Sequence, residues 1–232
     1  MSTERVVRKT GAARGRAGSG APGEDAPRKH LLEAASRLFA QHGFEGVSTA
    51  MVAEAAELTQ SMVHYHFQSK ALMWEEVVRH LMRQRRQFFP ISSAFLVDIE
   101  PIIRLKMFVR SLFEINIQEP QFNMIFLHES LSQGPRYTWL MDRYVGKVFK
   151  TVDAMMAEAV AAGQARRFPD DHMSNIIMSP GALVLAFQTI SRSIYHIDIP
   201  RDDYIRALSD TFVSLIFDGL TPRVQPGDGG PA

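Results

Sequence analysis

The sequence predicts an all-α protein: an N-terminal three-helix domain built around a helix-turn-helix, followed by a larger helical domain. Three observations predict it. Apolar residues recur at helical spacing through most of the chain, and no run alternates like a strand. Helix-length intervals end in Gly43, Glu119-Pro120, Gly134-Pro135, Gly163 and Gly219. Between Ser48 and Lys70, the run STAMVAEAAELTQSMVHYHFQSK reads as two short helices around a tight turn and the capped start of a third.

Residues 1–26 are rich in Gly, Ala, Arg and Pro without apolar period, and read as a disordered basic arm, solvated or touching DNA phosphates. The first helix is expected from about Pro27 to His42. Leu31, Ala35, Leu38 and Phe39 lie in one stripe, and Gly43 is a left-handed stop. Ser48 or Thr49 caps the second, which turns Val52, Ala53 and Ala56 inward. The third covers Gln60 to Phe67. Ser69 caps a fourth from Lys70 to about Phe88, with Leu72, Val77 and Leu81 in line. After a break at Pro90 to Pro101, helices are expected at 102–118, 121–132, 136–164, 173–196 and 202–218. The tail from Thr221 to Ala232 reads as disordered. The expected units are 1–26, 27–75, 76–220 and 221–232.

Composition narrows the function classes. The 232 residues include no cysteine, which excludes disulfides and thiolate metal sites and points to a cytoplasmic protein. No secretory signal or membrane span is expected, since no apolar stretch approaches the ~20 residues a span needs. The net charge of +1 is unevenly placed: +2 over residues 1–26, +2 over 27–88 and −3 over the rest. The basic end is thus the one with the helix-turn-helix, a placement compatible with a polyanionic partner.

A DNA-reading helix needs one face to pack and another to enter the major groove. Val63 and Phe67, four apart, can anchor the third helix. Gln60, Ser61, His64 and Tyr65 form a contiguous patch on the other side. Glutamine can bond adenine in bidentate fashion, while Ser, His and Tyr can reach bases or phosphates. Lys70 adds a positive charge at a helix N-terminus, the makings of a phosphate clamp. Read without the surrounding spacing, His64, Tyr65 and His66 are equally compatible with ordinary polar residues of a helical bundle.

The segment resembles the DNA-binding domain of the TetR family of bacterial transcriptional regulators. Leu38-Phe39, Gly43-Phe44, Val52-Ala53, Ala56, Leu58-Thr59, Val63, His66-Phe67 and Ser69-Lys70 carry the resemblance over about residues 28–75. Three positions depart from the family pattern: Glu57 stands for the turn glycine, His64 for a tyrosine, and Ala50 for a basic residue. The expected DNA-contacting set is Thr49, Thr59, Gln60, Ser61, Met62, His64, Tyr65, His66 and Lys70. The resemblance implies a palindromic operator, a homodimer formed by the last two helices, a small-molecule effector held by the larger domain, and repression as the mode of action.

For the dimer interface the expected residues are Ala182, Ala186, Ile190, Ile205, Leu208, Phe212 and Leu215. Of these, Ile205, Leu208, Phe212 and Leu215 follow a seam-like spacing. For the effector they are Phe108, Leu112, Asn116, Phe126, His128, Trp139, Tyr144, Met155 and Phe187. Asn116, His128 and Tyr144 interrupt apolar stripes, as convergent polar groups of a ligand pocket do, and the Met and aromatic richness suits an apolar or aromatic effector. No cofactor, metal or catalytic residue is expected. Two alternatives stay open: a helical dimer that binds proteins, and a metal-dependent helical hydrolase using Asp170-Asp171-His172 or His196 with Asp198. His128-Glu129 opens a zinc-protease pattern whose second histidine position is Ser132.

Overall fold

A computed structural model describes residues 25–86, 99–169, 171–196 and 202–221, with the backbone alone at 25, 181–188 and 202. The described residues form ten α-helices and one π turn. The expected arm lies outside them except for Asp25 and Ala26, which open α1 (Asp25–His42). The expected tail lies outside except for Thr221.

The N-terminal helices form where their caps and stops predict. Gly43, at φ +69°, ends α1, and its N–H donates to the Phe39 carbonyl at 3.0 Å. The Ser48 hydroxyl accepts the Met51 N–H at 3.1 Å and starts α2 (Thr49–Ala55). Glu57 takes the left-handed conformation at φ +55°, and the Leu58 N–H closes the turn on the Ala53 carbonyl at 2.9 Å. Then α3 (Gln60–Phe67) buries Val63 and Phe67. The Ser69 hydroxyl accepts the Leu72 N–H at 3.2 Å and opens α4 (Lys70–Arg86).

Leu72 is not on the buried stripe: it is 44 % exposed, and Met73 fills that place with no exposure. Stepping back by fours from Leu81 and Val77 reaches 73, whereas 72 is turned well off that row. The inward row of α4 runs Met73, Trp74, Val77, Val78, Leu81 and, at its end, Arg85.

Next come α5 (Pro101–Gln118), with proline at its first position, and α6 (Gln121–Ser132). The expected helix over 136–164 is three segments end to end: α7 (Pro135–Leu140), a π turn at Met141–Val145, and α8 (Gly146–Ala161). The wider π turn brings the Met141 carbonyl within 2.9 Å of where a Cβ of residue 146 would sit, so glycine is needed there. The last two helices are α9 (His172–Tyr195), which contains Pro180, and α10 (Asp202–Leu220).

Packing crosses the expected boundary at 75–76, which falls inside α4. The first core joins α1–α4 to Phe122, Ile125, Leu140 and Val145. Burial of each such apolar side chain contributes roughly 1.5–3 kcal/mol. A second core gathers Leu105, Phe108, Val109 and Leu112 of α5 with Val152, Met156, Met173, Ile177, Val213 and Phe217. Phe113 stacks on Phe212 at 4.5 Å beside Ile117 and Ile205.

Polar contacts fasten α1 to the later helices. His128 Nε2 lies 3.2 Å from the Ala40 carbonyl, and its ring approaches Gly43 so closely that a Cβ there would stand 3.1 Å from Nδ1. The Arg136 guanidinium lies 3.7 Å from the centroid of Phe44. It donates to Glu129 at 2.9 Å and to Glu45 at 3.3 Å.

Candidate nucleic-acid interface and adjoining cavity

The patch on α3 faces outward. Gln60, Ser61, His64 and Tyr65 are exposed, Tyr65 to 74 %, while Val63 and Phe67 bind the opposite face to the core. Two contacts order this face. Gln60 Nε2 donates to the Thr49 hydroxyl at 3.0 Å, tying the third helix to the start of the second. The Thr59 and Ser61 hydroxyls pair at 2.8 Å. Thr49 is half-buried and Thr59 exposed, both on the rim of the patch.

The remaining expected DNA contacts sit less freely. Met62 is half-buried. His66 is half-buried with its ring centroid 5.0 Å from that of Tyr65, and its Nε2 is enclosed. The Lys70 ammonium lies 4.3 Å from the centroid of Phe44, so it must leave that ring to clamp a phosphate. Among the described residues of α3 there is no acid to oppose a polyanion.

A cavity of about 400 Å³ opens between the end of α4 and α5, α6, α8 and α9. The structure brings Leu112, Asn116, Phe126 and Tyr144 together on its wall. Four other expected effector residues lie elsewhere. Phe108 and Met155 pack into the second core. His128 is turned toward Ala40 and Gly43, and Trp139 packs against Trp74 at 5.6 Å and Tyr144. The side chain of Phe187 lies outside the described residues.

Sequence reasoning missed Arg85, Asn123 and Asn175, which supply further polar groups to this cavity. Arg85 was legible: a basic residue at the spacing 74, 78, 81, 85 sits on a core stripe. It is 5 % exposed. One of its terminal nitrogens donates to the Glu119 carbonyl at 3.0 Å, the other to Asn116 Oδ1, and the group lies 5.3 Å from the centroid of Phe122. Burial pushes the guanidinium down to about 10, partly offset by the nearby Glu119 charge, so it remains a cation at neutral pH. A second cavity, of about 410 Å³, lies between α8 and α9 beside Met156 and Met173, and is lined by none of the expected effector residues.

The expected dimer seam divides. Ile205 is 2 % exposed and faces α5, so it belongs to its own chain's core. The inward row of α10 is Ile205, Ser209, Val213, Ile216 and Leu220, which carries position 205 inside and position 215 outside. Leu208 and Phe212 are half-buried on the flank. Leu215 is 73 % exposed and Ile190 45 %, joined on α9 by exposed Ile194 and Tyr195. The side chains of Ala182 and Ala186 lie outside the described residues. Asp170 and Asp198 also lie outside, and the described residues contain no cluster of three or more His, Asp or Glu placed to hold a metal. No helix among the described residues is long and apolar enough to cross a membrane.

A reading helix held on a small helical core and presented beside a second helix defines the class: a helix-turn-helix DNA-binding regulator. Residues 31–77 match the sequence profile of the bacterial regulatory proteins of the tetR family. The HTH-type transcriptional regulator RutR of Escherichia coli (strain K12) is 25 % identical over 201 residues, which cover 85 % of this chain and 92 % of RutR. The HTH-type transcriptional repressor NicS of Pseudomonas putida is 28 % identical over 110 residues, covering 47 % of this chain and 51 % of NicS. Among solved structures, the ketosteroid transcriptional regulator KstR2 of Mycobacterium tuberculosis superposes with a TM-score of 0.65 at 19 % identity. The match covers 86 % of this chain and 97 % of that one. The fold is therefore that of tetR-family transcriptional regulators.

Proposed function

We propose that the protein is a dimeric repressor that binds a palindromic operator and is released by a small effector with an apolar or aromatic body. The observation that carries the reading is the outward face of α3, where Gln60, Ser61, His64 and Tyr65 stand exposed while Val63 and Phe67 are buried. One such unit reads too few base pairs, and two placed about 34–36 Å apart occupy successive major grooves. The exposed Leu215, Ile190 and Ile194 support pairing through α9 and α10, since water-facing apolar side chains are available for self-association.

The switch in this reading is mechanical. The helix α4 starts at the DNA end with Lys70 and reaches the cavity with Arg85, so one rigid rod spans both. An effector that favours a splayed dimer shifts the two reading helices off their spacing. Coupling of this kind is typically ~1–3 kcal/mol, a ~5–150-fold loss of affinity.

Selection of bound duplexes from a random pool tests the reading. Enrichment of a two-fold palindrome is expected, and its binding is expected to vanish in a Gln60→Ala, His64→Ala double variant that folds normally. Unchanged binding by that variant would refute the assignment of the reading face.

A further inference from the structure

We propose that the effector is a small organic carboxylate, its apolar body in the α4–α9 cavity and its carboxylate on Arg85. The inference rests on the regulator reading above and names the chemistry of its ligand. Arg85 is nearly fully buried and lines the cavity, yet its partners among the described residues are two neutral oxygens and an aromatic ring. The nearby Glu119 offers it a backbone carbonyl, and no carboxylate of a described residue pairs with it. The Glu119 charge acts on it only from nearby and only partly offsets its burial, and a buried cation without a direct carboxylate partner is costly.

A second group points the same way. The amide nitrogen Nδ2 of Asn123, enclosed and without an acceptor, belongs to a residue of the same wall. No Asp or Glu lines the cavity. It therefore holds an unpartnered donor and a positive charge, with Leu112, Phe126 and Phe149 forming apolar wall. The ligand that satisfies this set has an acceptor-only, negatively charged, planar head and a hydrocarbon or aromatic body. A carboxylate on a guanidinium forms two parallel charge-assisted bonds, a geometry neither an alcohol nor a neutral amide reproduces.

The test uses the full-length protein and three matched pairs of probes: benzoate and benzamide, phenylacetate and phenylacetamide, hexanoate and hexanamide. Dissociation constants come from thermal-shift titrations at neutral pH and fixed protein concentration. At least one acid is expected to bind about tenfold or more tightly than its amide, the scale of a hydrogen-bonded charge. In Arg85→Met that preference is expected to disappear while the unliganded variant stays folded, and Arg85→Lys is expected to keep part of it. Equal or tighter binding of the amides, no binding by any acid, or an acid preference that survives Arg85→Met would overturn the proposal. Operator affinity measured on the same samples separates the two readings. Intact operator binding with no acid preference refutes only the ligand class, whereas absent operator binding refutes the regulator reading itself.

Discussion

Replacing Arg136 by alanine removes three contacts at the joint between α1 and the later helices, and the cost can be worked from their environments. The Glu129 side chain is 3 % exposed, so deleting its cation leaves a buried carboxylate unpaired. Breaking a buried pair from one side typically costs 3–5 kcal/mol. Arg136 is itself 30 % exposed, which lets water soften the loss and places this pair at the low end. Glu45 is 84 % exposed, so its contact at 3.3 Å contributes almost nothing. The guanidinium 3.7 Å from the Phe44 centroid adds about 0.5–1 kcal/mol. The expected cost of Arg136→Ala is therefore about 3.5–4 kcal/mol, a fall in Tm of roughly 7–16 °C for a chain of this size. Thermal and urea unfolding at one fixed protein concentration measure it, because association raises apparent stability. Adding Glu129→Gln should recover part of the loss, and Glu45→Ala alone should stay within about 0.5 kcal/mol. A loss for Arg136→Ala no larger than that of Glu45→Ala would refute the argument that the buried carboxylate sets the energy.

Three further outcomes follow from local geometry. Glu57→Gly should stabilise the protein by up to about 1 kcal/mol in urea unfolding, because Glu57 holds φ +55° with a side chain that penalises it. Gly43→Ala should destabilise it by more than about 1 kcal/mol, since φ is +69° and the new Cβ would press on the His128 ring; unchanged Tm would show that this joint yields freely. Burial alone would raise the Glu76 carboxyl, but hydrogen bonds from Arg79 and Arg28 outweigh it and hold the group below its ordinary 4.5. A depressed carboxyl stabilises the fold above its unfolded value and loses that contribution as pH falls through the lower folded value. Stability measured against pH should therefore decline below about pH 4.5 more steeply in wild type than in Glu76→Gln, and parallel profiles would sink the idea.

Most of the helices were legible because their signals are local. Ser48 and Ser69 accept the N–H groups their positions predict, and Gly43 and Glu57 adopt the left-handed turns. The outward face of α3 was legible too, since a period of 3.6 residues decides which side of an eight-residue helix Val63 and Phe67 can share. Leu72 and Ile205 show the limit of that reasoning. Both are apolar at plausible spacing, but the row that packs is set by which neighbours arrive: Met73 takes the inward place instead of Leu72, and Ile205 packs inside its own chain against Phe113 and Ile117. His128 and Trp139 interrupt or extend apolar stripes just as cavity residues do. Their true surroundings, Ala40 and Gly43 for one and Trp74 for the other, come from distant parts of the chain.

By itself, then, the sequence determined the all-α class, the order and most boundaries of the helices, and the chemistry offered by α3, because caps, turn residues and helical period act within a few residues. Only the tertiary structure decided that α1–α4 share a core with α6 and the π turn, that Arg136 joins them, and that Arg85 closes a cavity with Asn116 and Asn123. Those contacts link residues such as Arg85 and Asn116 across turns whose directions no local pattern encodes. Whether a buried cation meets a carboxylate or a neutral amide depends on that distant packing, and here it selects the ligand class proposed for the cavity.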